Sequence, residues 1–499
     1  MYFLALDLGT THVKAAVVAA DGQIIASHHV RSEAQPTGHG FVYDPEEFWQ
    51  RAVFVLSRAA NEAAVPIAAC GITGMAESGL LLDARTLTPR SSIIPWFDRA
   101  SQRELPTAAE LQDPAERFRI TGLRLSGKYG LLKILSLQRQ GIDLRGSLWL
   151  SAVDYIALRL TGRIGTDPTL AARTYLYSLE TEDWDHDFIA RCLPEVEFPP
   201  VIPSGMPIGN CVGGESLCFL RDMPVSICGH DHVVASLAVG DVAGGDVLNS
   251  MGTAEVLLGA RPAAPLTHRH LSSGLSFGPH VLPGFYHWLG GLSDSGGSIE
   301  WLRRILGEPE LSYAQLEELL AGVSFEPSGI IYYPFLSGSG APRPDPYARG
   351  AFVGLSRSHT RRDLAKAVLE GVSMQMELIR REALAVMGGH INRILVVGGG
   401  VKNRFWLQTK AHVFGCPLTV LSVQEAALVG AALFAGVGSG HLRLADLQAA
   451  SAALASEEIV PDEHLHKAYS WLLEEGYIKL QQPLREYYGK MARRDLREL

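Results

Sequence analysis

The sequence lacks the features that define several protein classes. Its 499 residues include only six cysteines, scattered without a Cys-x-x-Cys pair, so neither a zinc site nor a disulfide framework is predicted. No apolar run approaches the roughly 18 to 20 residues of a membrane-spanning helix. The net charge is -9, with no excess of Lys and Arg to neutralise a nucleic-acid backbone. We therefore expect no nucleic-acid partner and no membrane association.

The chain begins with a strand-like run and has no basic segment or cleavage site of a secretory signal, which predicts a cytoplasmic protein. Its length favours two or more domains, and 47% hydrophobic and 19% charged residues are ordinary globular composition. Short apolar, β-branched runs alternate with amphipathic stretches in both halves. This alternation predicts an α/β fold.

Local patterns place individual elements. Asp44 can cap a helix whose first turn holds Pro45, and Thr161-Gly162 can end another that begins near Ser151. The predicted strands cover residues 2–6, 14–18, 22–27, 68–74, 79–83 and 394–397, and further helices cover 362–376 and begin at Asn403.

The first strand ends in a group of residues suited to a phosphate and its metal. Gly9 lets the backbone approach a ligand closely, Thr10 and Thr11 offer hydroxyl and amide donors, and Asp7 can hold Mg²⁺ through water. Lys14 adds positive charge. A plain β-hairpin is the alternative, because Asp21-Gly22 is a strong turn pair.

The same pattern returns after residue 240. Residues 248–253 and 254–258 repeat the strand, glycine-threonine turn and strand of residues 4–11 and 13–18. Two similar domains are therefore predicted, at 1–240 and 241–499. The alternative is coincidence, because any α/β protein has several strand-glycine-strand corners. A buried strand also ends in Gly398-Gly399-Gly400 before a helix, so a flat ligand or a phosphate can approach that helix without Cβ obstruction.

Nine short segments of the sequence, including the three glycine-containing turns described above, occur in the same order as in the FGGY carbohydrate kinases. In this order they resemble that family, which belongs to the superfamily of sugar kinases, actin and Hsp70. The resemblance covers nearly the whole chain and rests on windows that start at Asp7, Gly71, Trp96, Asp154, Ile227, Asn249, Ser293, Pro334 and Val396. It implies two ribonuclease H-like, actin-like ATPase domains around a catalytic cleft.

The resemblance also implies an ATP and Mg²⁺ dependent phosphotransfer to a sugar or polyol. Asp231 matches the catalytic base, since phosphoryl transfer to an alcohol needs a carboxylate near the hydroxyl. The alternative use of Asp231 is capping of a helix. Asp7 and Asp231 would face the metal. The nucleotide-binding residues that the resemblance implies are Thr10, Thr11, Lys14, Gly252, Thr253, Gly296, Glu300, Gly399 and Asn403.

The residues implied to bind the substrate lie in the first half: Glu77, Trp96, Asp98, Arg99 and Asp231. The segment with Lys128, Tyr129 and Lys133 is similar to xylulokinases, which favours a ketopentose such as xylulose or ribulose. Glycerol or a tetritol is the alternative substrate, and an ATP-gated sugar sensor or chaperone-like ATPase is the alternative class. Ser339-Gly340 replaces a charged pair common in the family. A homodimer is compatible with the sequence, which does not fix the oligomeric state.

Overall fold

The computed structural model of the chain describes residues 1–240, 242–388, 390–423 and 425–495. Strands and helices alternate along most of it, as predicted. The strands of the first half are β1 (Tyr2–Leu8), β2 (His12–Ala19), β3 (Ile24–Arg31), β4 (Gln35–Thr37), β5 (Gly40–Val42), β6 (Ile67–Gly74), β7 (Gly79–Asp83), β8 (Ser147–Ser151), β9 (Tyr177–Ser178), β10 (Asp183–Trp184), β11 (Val196–Glu197), β12 (Pro207–Asn210) and β13 (Pro224–His230). Those of the second half are β14 (Val247–Met251), β15 (Glu255–Pro262), β16 (Ser276–Pro279), β17 (Phe285–Leu292), β18 (Ile331–Tyr333), β19 (Ala351–Val353), β20 (Ile394–Val397), β21 (Leu418–Leu421) and β22 (Ser456–Ile459).

The helices flank the sheets. They are α1 (Pro45–Ala63), α2 (Leu105–Leu111), α3 (Pro114–Thr121), α4 (Gly130–Arg139), α5 (Ala152–Thr161), α6 (Pro168–Ala172), α7 (His186–Cys192), α8 (Asp231–Leu237), α9 (His268–Ser272), α10 (Gly296–Leu306), α11 (Tyr313–Leu320), α12 (Arg361–Val386), α13 (Arg404–Phe414), α14 (Ala426–Gly438), α15 (Leu444–Ala452), α16 (Glu463–Leu472) and α17 (Lys479–Asp495). Short 3₁₀ turns cover Ala100–Glu104, Glu215–Leu220, Val242–Gly244 and Gly399–Lys402, and a π turn at Leu473–Ile478 joins α16 to α17. Among the described residues, no helix combines the length and the apolar content needed to cross a membrane.

The two halves contain sheets of the same construction. In the first, the strand order is β12-β13-β6-β1-β2-β3, with β1, β2 and β3 antiparallel and β1, β6 and β13 parallel. In the second, β22-β21-β20-β14-β15-β17 repeats this order and these directions, and β16 adds an outer strand. The internal duplication predicted from the two hairpins is confirmed.

Most local predictions also hold. The Asp44 side chain accepts from the backbone N–H groups of Glu46 and Glu47 at the start of α1. Ser151 forms a capping box with Asp154, and Gly162 ends α5 in the left-handed region at φ 69°. Two elements extend furthest beyond their predicted ends. Strand β3 extends to Arg31 with alternating exposed residues, as an edge strand does, and α12 continues ten residues past the predicted end at 376.

Helix α14 joins the two halves, packing against β1, β2, β6 and β13 of the first sheet and against α8. The approach is close, because a Cβ on Gly71 would overlap the carbonyl oxygen of Ala431, and one on Gly430 would overlap that of Val234. The surrounding apolar cluster includes Phe3 of β1 and Leu248 of β14, so it is shared by both sheets. The two domains are therefore held together by a continuous buried core.

Candidate active site

Three parallel strands of the first half end at one edge of the sheet. Asp7 of β1 and Gly229 of β13 both lie opposite Thr73 of the central strand β6. The Thr73 hydroxyl donates to the Gly229 carbonyl oxygen at 2.7 Å. Since Asp231 follows at the start of α8, this register brings the two predicted acidic residues, Asp7 and Asp231, to the same edge.

The Asp7 carboxylate is buried, and its hydrogen-bonding capacity is not fully satisfied within the described chain. It is 8% exposed, and within the described chain its Oδ1 atom has no hydrogen-bond partner. Its pKa is raised to about 8, chiefly by burial and also by the nearby Asp231 and Glu425, while Lys14 opposes the rise. In the described ranges, no three His, Cys, Asp or Glu side chains converge. A cation here would therefore be held by Asp7 and Asp231 together with phosphate oxygens and water, which suits Mg²⁺.

Asp231 is the first residue of α8, and its side chain is 25% exposed. Its Oδ1 atom accepts from the backbone N–H of His232 at 2.7 Å and lies 3.2 Å from His230 Nε2. Burial raises the pKa of Asp231, and burial also holds the pKa of His230 well below its usual range. His230 is therefore neutral beside a carboxyl group that has an increased affinity for protons.

The first phosphate turn connects to both domains. Gly9 donates to the His12 carbonyl at 3.1 Å, and Thr11 is exposed. The Thr10 hydroxyl accepts from the indole N–H of Trp96 at 2.7 Å, which links this turn to a predicted substrate residue. Lys14 Nζ lies 2.8 Å from Glu425 Oε2, immediately before α14. An ion pair between the halves thus sits beside the turn.

The second phosphate turn packs on the N-terminus of α10. Gly252 and Thr253 are exposed, and their carbonyl oxygens accept from Gly296 and Gly297 N–H groups at 3.2 and 3.0 Å. A Cβ on Gly296 would overlap the Gly252 carbonyl, so glycine is required there. The structure therefore places the predicted phosphate turn, Gly252-Thr253, in contact with Gly296, a predicted nucleotide-binding residue.

The triple glycine after β20 holds another residue predicted to bind nucleotide, Gly399. A Cβ on Gly398 would lie 2.5 Å from the Met251 carbonyl oxygen, so this segment lies against the second hairpin. Gly399 is exposed with no atom within 4 Å of an added Cβ. Asn403 accepts from Trp406 N–H at 3.0 Å and caps α13. Glu300 on α10 is engaged by Arg303 at 2.7 Å and by the Tyr313 hydroxyl.

The predicted substrate residues have unequal environments. Glu77 is 8% exposed, and its Oε1 atom contacts Arg173 and Lys128, at 3.1 Å from Lys128 Nζ. Burial favours a higher pKa, but Arg173, Lys128 and His230 outweigh it and hold the Glu77 pKa well below its usual range. Glu77 is therefore ionised.

The segment around Trp96 has more structural contacts than expected. Asp98 is 6% exposed, and its two oxygens accept from Phe41 N–H at 2.8 Å and Ala100 N–H at 3.0 Å. Arg99 is exposed and donates to the Ser337 carbonyl of the other half at 3.4 Å. Lys133 is fully buried and donates to three carbonyls, those of Glu77, Ile94 and Pro95. Lys133 thus connects the loop that holds Glu77 with the loop that holds Trp96 through buried hydrogen bonds.

Sequence reasoning missed Arg173 and Glu425. Arg173 follows three apolar residues of α6, and a buried cation there requires a carboxylate partner. Glu425 precedes an Ala-rich apolar helix. Acidic residues are common at helix N-termini, so this position did not mark Glu425 as a functional residue. Each signal was present, but neither identifies the partner, which is distant in the chain.

Comparison with known proteins agrees with this geometry. Two domain models of the FGGY family of carbohydrate kinases match the chain. The N-terminal domain model matches residues 2–238, and the C-terminal domain model matches residues 247–439. The chain is 32% identical over 444 residues to a glycerol kinase of Gloeobacter violaceus, covering 88% of each chain. It is 25% identical over 478 residues to a xylulose kinase of Staphylococcus epidermidis, covering 93% and 94%.

A crystal structure of xylulose kinase from Rhodospirillum rubrum superimposes with a TM-score of 0.85 at 26% identity, covering 98% of this chain and 100% of that one. The predicted two-domain, actin-like fold is confirmed, whereas the predicted boundary between residues 240 and 241 stays a prediction. The chain belongs to the FGGY family of carbohydrate kinases and is a phosphotransferase acting on a sugar or polyol.

Proposed function

We propose that this kinase transfers the terminal phosphoryl group of ATP to a hydroxyl of a ketopentose such as xylulose or ribulose. The observation that carries the proposal is the pair of carboxyl groups at one sheet edge. Among the described residues, one oxygen of the buried Asp7 has no hydrogen-bond partner, and Asp231 is partly exposed beside a neutral histidine. Proton abstraction and metal binding need such groups.

In this proposal Asp231 is the general base. It accepts the proton of the substrate hydroxyl while that oxygen bonds to the terminal phosphorus and the bond to the departing ADP oxygen breaks. Its raised pKa strengthens it as a base. Asp7 and Asp231 would hold Mg²⁺, which supplies positive charge to the phosphate oxygens. Closure of the two domains over the site would exclude water, which competes with the substrate hydroxyl for the phosphoryl group.

The nucleotide would lie between the two turns. Thr10, Thr11 and Lys14 would contact phosphates from the first domain, and Gly252 and Thr253 from the second. The exposed backbone at Gly252, Thr253 and Gly399 supports this arrangement, since close approach of a ligand needs open space. Gly296, Glu300, Gly399 and Asn403 would form the adenosine side; Asn403 would act there through its cap on α13.

The substrate would lie against Glu77, Trp96, Asp98 and Arg99. Glu77 accepts hydroxyl hydrogen bonds, and Lys128, which is partly exposed, adds a donor beside it. Glycerol is a second candidate substrate, because the chain is 32% identical to a glycerol kinase. A homodimer stays a prediction.

The test is a panel of acceptors in a coupled ADP-release assay with Mg²⁺ and ATP. Xylulose and ribulose should give the highest kcat/KM, and ATP without an acceptor should give the background rate. A response to glycerol alone would replace the ketopentose by the second candidate. No response to any ketopentose, ketohexose, pentitol, tetritol or glycerol would contradict the proposed function.

A further inference from the structure

Four polar side chains form a closed network in the core of the second domain. Asn249, Glu255, Ser295 and Lys410 are each 0% exposed. Glu255 Oε1 accepts from Asn249 Nδ2 at 2.8 Å and from Lys410 Nζ, and Oε2 accepts from Ser295 Oγ at 2.7 Å. The side-chain oxygen of Asn249, Oδ1, accepts from Lys410 Nζ at 3.5 Å. Each of the four groups therefore has a partner inside the network.

The network joins the segments around the second phosphate turn. Asn249 lies on β14 and Glu255 begins β15, so the two residues flank Gly252-Thr253. Ser295 immediately precedes α10, whose first residue, Gly296, donates to the Gly252 carbonyl. Lys410 lies on α13, two helical turns after the Asn403 cap and on the same face. One buried carboxylate thus connects the hairpin, α10 and α13.

Stability alone is a poor explanation of this arrangement. Burial lowers the pKa of Lys410, and Glu255 opposes that shift, which shows the cost of placing the ammonium group in the core. Replacing a buried ion pair with apolar groups is often neutral or stabilising. What such a pair provides is a fixed geometry, because few other arrangements would satisfy both charges.

We propose that Glu255 and Lys410 are positioning residues that fix the second phosphate turn relative to α10 and α13 before nucleotide binds. The inference rests on the proposed function, since it assumes that the nucleotide lies between these segments. It assigns no contact with substrate to either residue. Loss of the network would weaken nucleotide binding and leave binding of the sugar in the other domain unchanged.

The test is the double variant Lys410→Met/Glu255→Gln. It removes both charges and so leaves no buried charge unpaired. Gln can still accept from Ser295 through its single oxygen, whereas the bond from Asn249 is changed and the link to α13 is lost. We expect the Kd for ADP and the KM for ATP to rise about tenfold, because small misplacements of binding groups have effects of this order. The KM for the sugar should not change. Calorimetry with ADP and initial rates at 25 °C supply these values.

The matched control is Lys366→Met/Glu370→Gln, another buried Lys and Glu pair at 3.8 Å, on α12 and outside the network. It should alter Tm without altering the Kd for ADP. Unchanged ADP affinity in the folded Lys410→Met/Glu255→Gln protein would overturn the inference while the proposed function stands. Failure of the unaltered protein to bind ADP would overturn both. If the double variant does not fold, Ser295→Ala is the test. We expect this variant to have a higher Kd for ADP, and an unchanged Kd would overturn the inference.

Discussion

Buried carboxylates in the first domain are compensated differently from those in the second. In the first, Asp154 and Asp167 accept from hydroxyl and backbone groups, and Asp7 has an oxygen without a partner among the described residues. Burial raises their pKa values, to about 7 for Asp154, about 6 for Asp167 and about 8 for Asp7. In the second domain, Glu255 contacts Lys410, and Glu377 contacts Arg380 at 2.6 Å.

This difference gives buried carboxyl groups two different properties within one duplicated fold. A carboxyl group with a raised pKa can exchange a proton or take up a cation near neutral pH, whereas a carboxylate held by an ammonium or guanidinium group is fixed in charge and position. Glu77 and Glu104 are exceptions in the first domain, because Arg173 and Arg139 pair with them, and Glu370 is an exception in the second, because burial raises its pKa. Glu77 is the residue proposed to recognise hydroxyls rather than to react. Under the proposed function, the first domain would supply the reacting carboxyl group and the second the fixed segments that hold the nucleotide.

The largest expected effect is that of Asp231→Asn. Removing the base should lower kcat about 10³-fold, while the Kd for ADP stays within a factor of about two. Single-turnover rates and calorimetry measure the two quantities. Asp44→Asn is the control for loss of a carboxylate at a helix terminus, since Asp44 caps α1, has no proposed contact with substrate or nucleotide and should affect only Tm. Turnover by Asp231→Asn at the normal rate would contradict the role of Asp231 as general base.

A smaller effect concerns stability and pH. The folded-state pKa of Asp154, about 7, is above the unfolded value near 3.9, so the native protein retains a proton that the unfolded chain loses. Its contribution to the free energy of unfolding is therefore complete below about pH 4 and declines as pH rises to about 7. In Asp154→Asn, the loss of stability between pH 5 and pH 7 should be smaller by about 2 kcal/mol.

Urea denaturation at the two pH values measures this difference. Asp143→Asn is the control, because the pKa of this exposed carboxylate is lowered to about 2 and it stays ionised throughout. An equal pH dependence in Asp154→Asn and the unaltered protein would remove Asp154 from the comparison between the domains.

The smallest effect is expected at the ion pair between the domains. In the proposed nucleotide site, Glu425 would compete with phosphates for Lys14. Both side chains are about one-third exposed, so the pair is worth about 1 kcal/mol or less. Glu425→Gln should therefore lower the Kd for ADP about threefold, and Lys14→Gln should raise it. Titration calorimetry at low and high salt distinguishes the two variants. Weaker ADP binding by Glu425→Gln would mean that Glu425 holds Lys14 in its binding position.

Sequence reasoning was most successful where the signal is local. Asp44 and Ser151 mark helix starts, and the two glycine-threonine turns revealed the duplication, because capping and turn chemistry depend on neighbours in the chain. The family resemblance then supplied the order of the domains and the candidate residues.

It was least informative about partners. Nothing in the chain near Glu77 indicates that Arg173 pairs with it, and nothing near Glu255 indicates Lys410, 155 residues later. The backbone bonds to Asp98 were missed for the same reason, because they depend on how a distant hairpin packs. Pairing across the fold is set by tertiary packing, which residue spacing does not encode.

The close contact of α14 with α8 has a mechanical consequence. With no side chain between Gly430 and the Val234 backbone, a tilt of α14 is passed directly to α8, and Asp231 is the first residue of α8. Asp231, the proposed base, therefore lies on a helix that is packed directly against α14. If the cleft closes by a tilt of α14, the same movement would reorient the Asp231 carboxylate as it encloses the substrate.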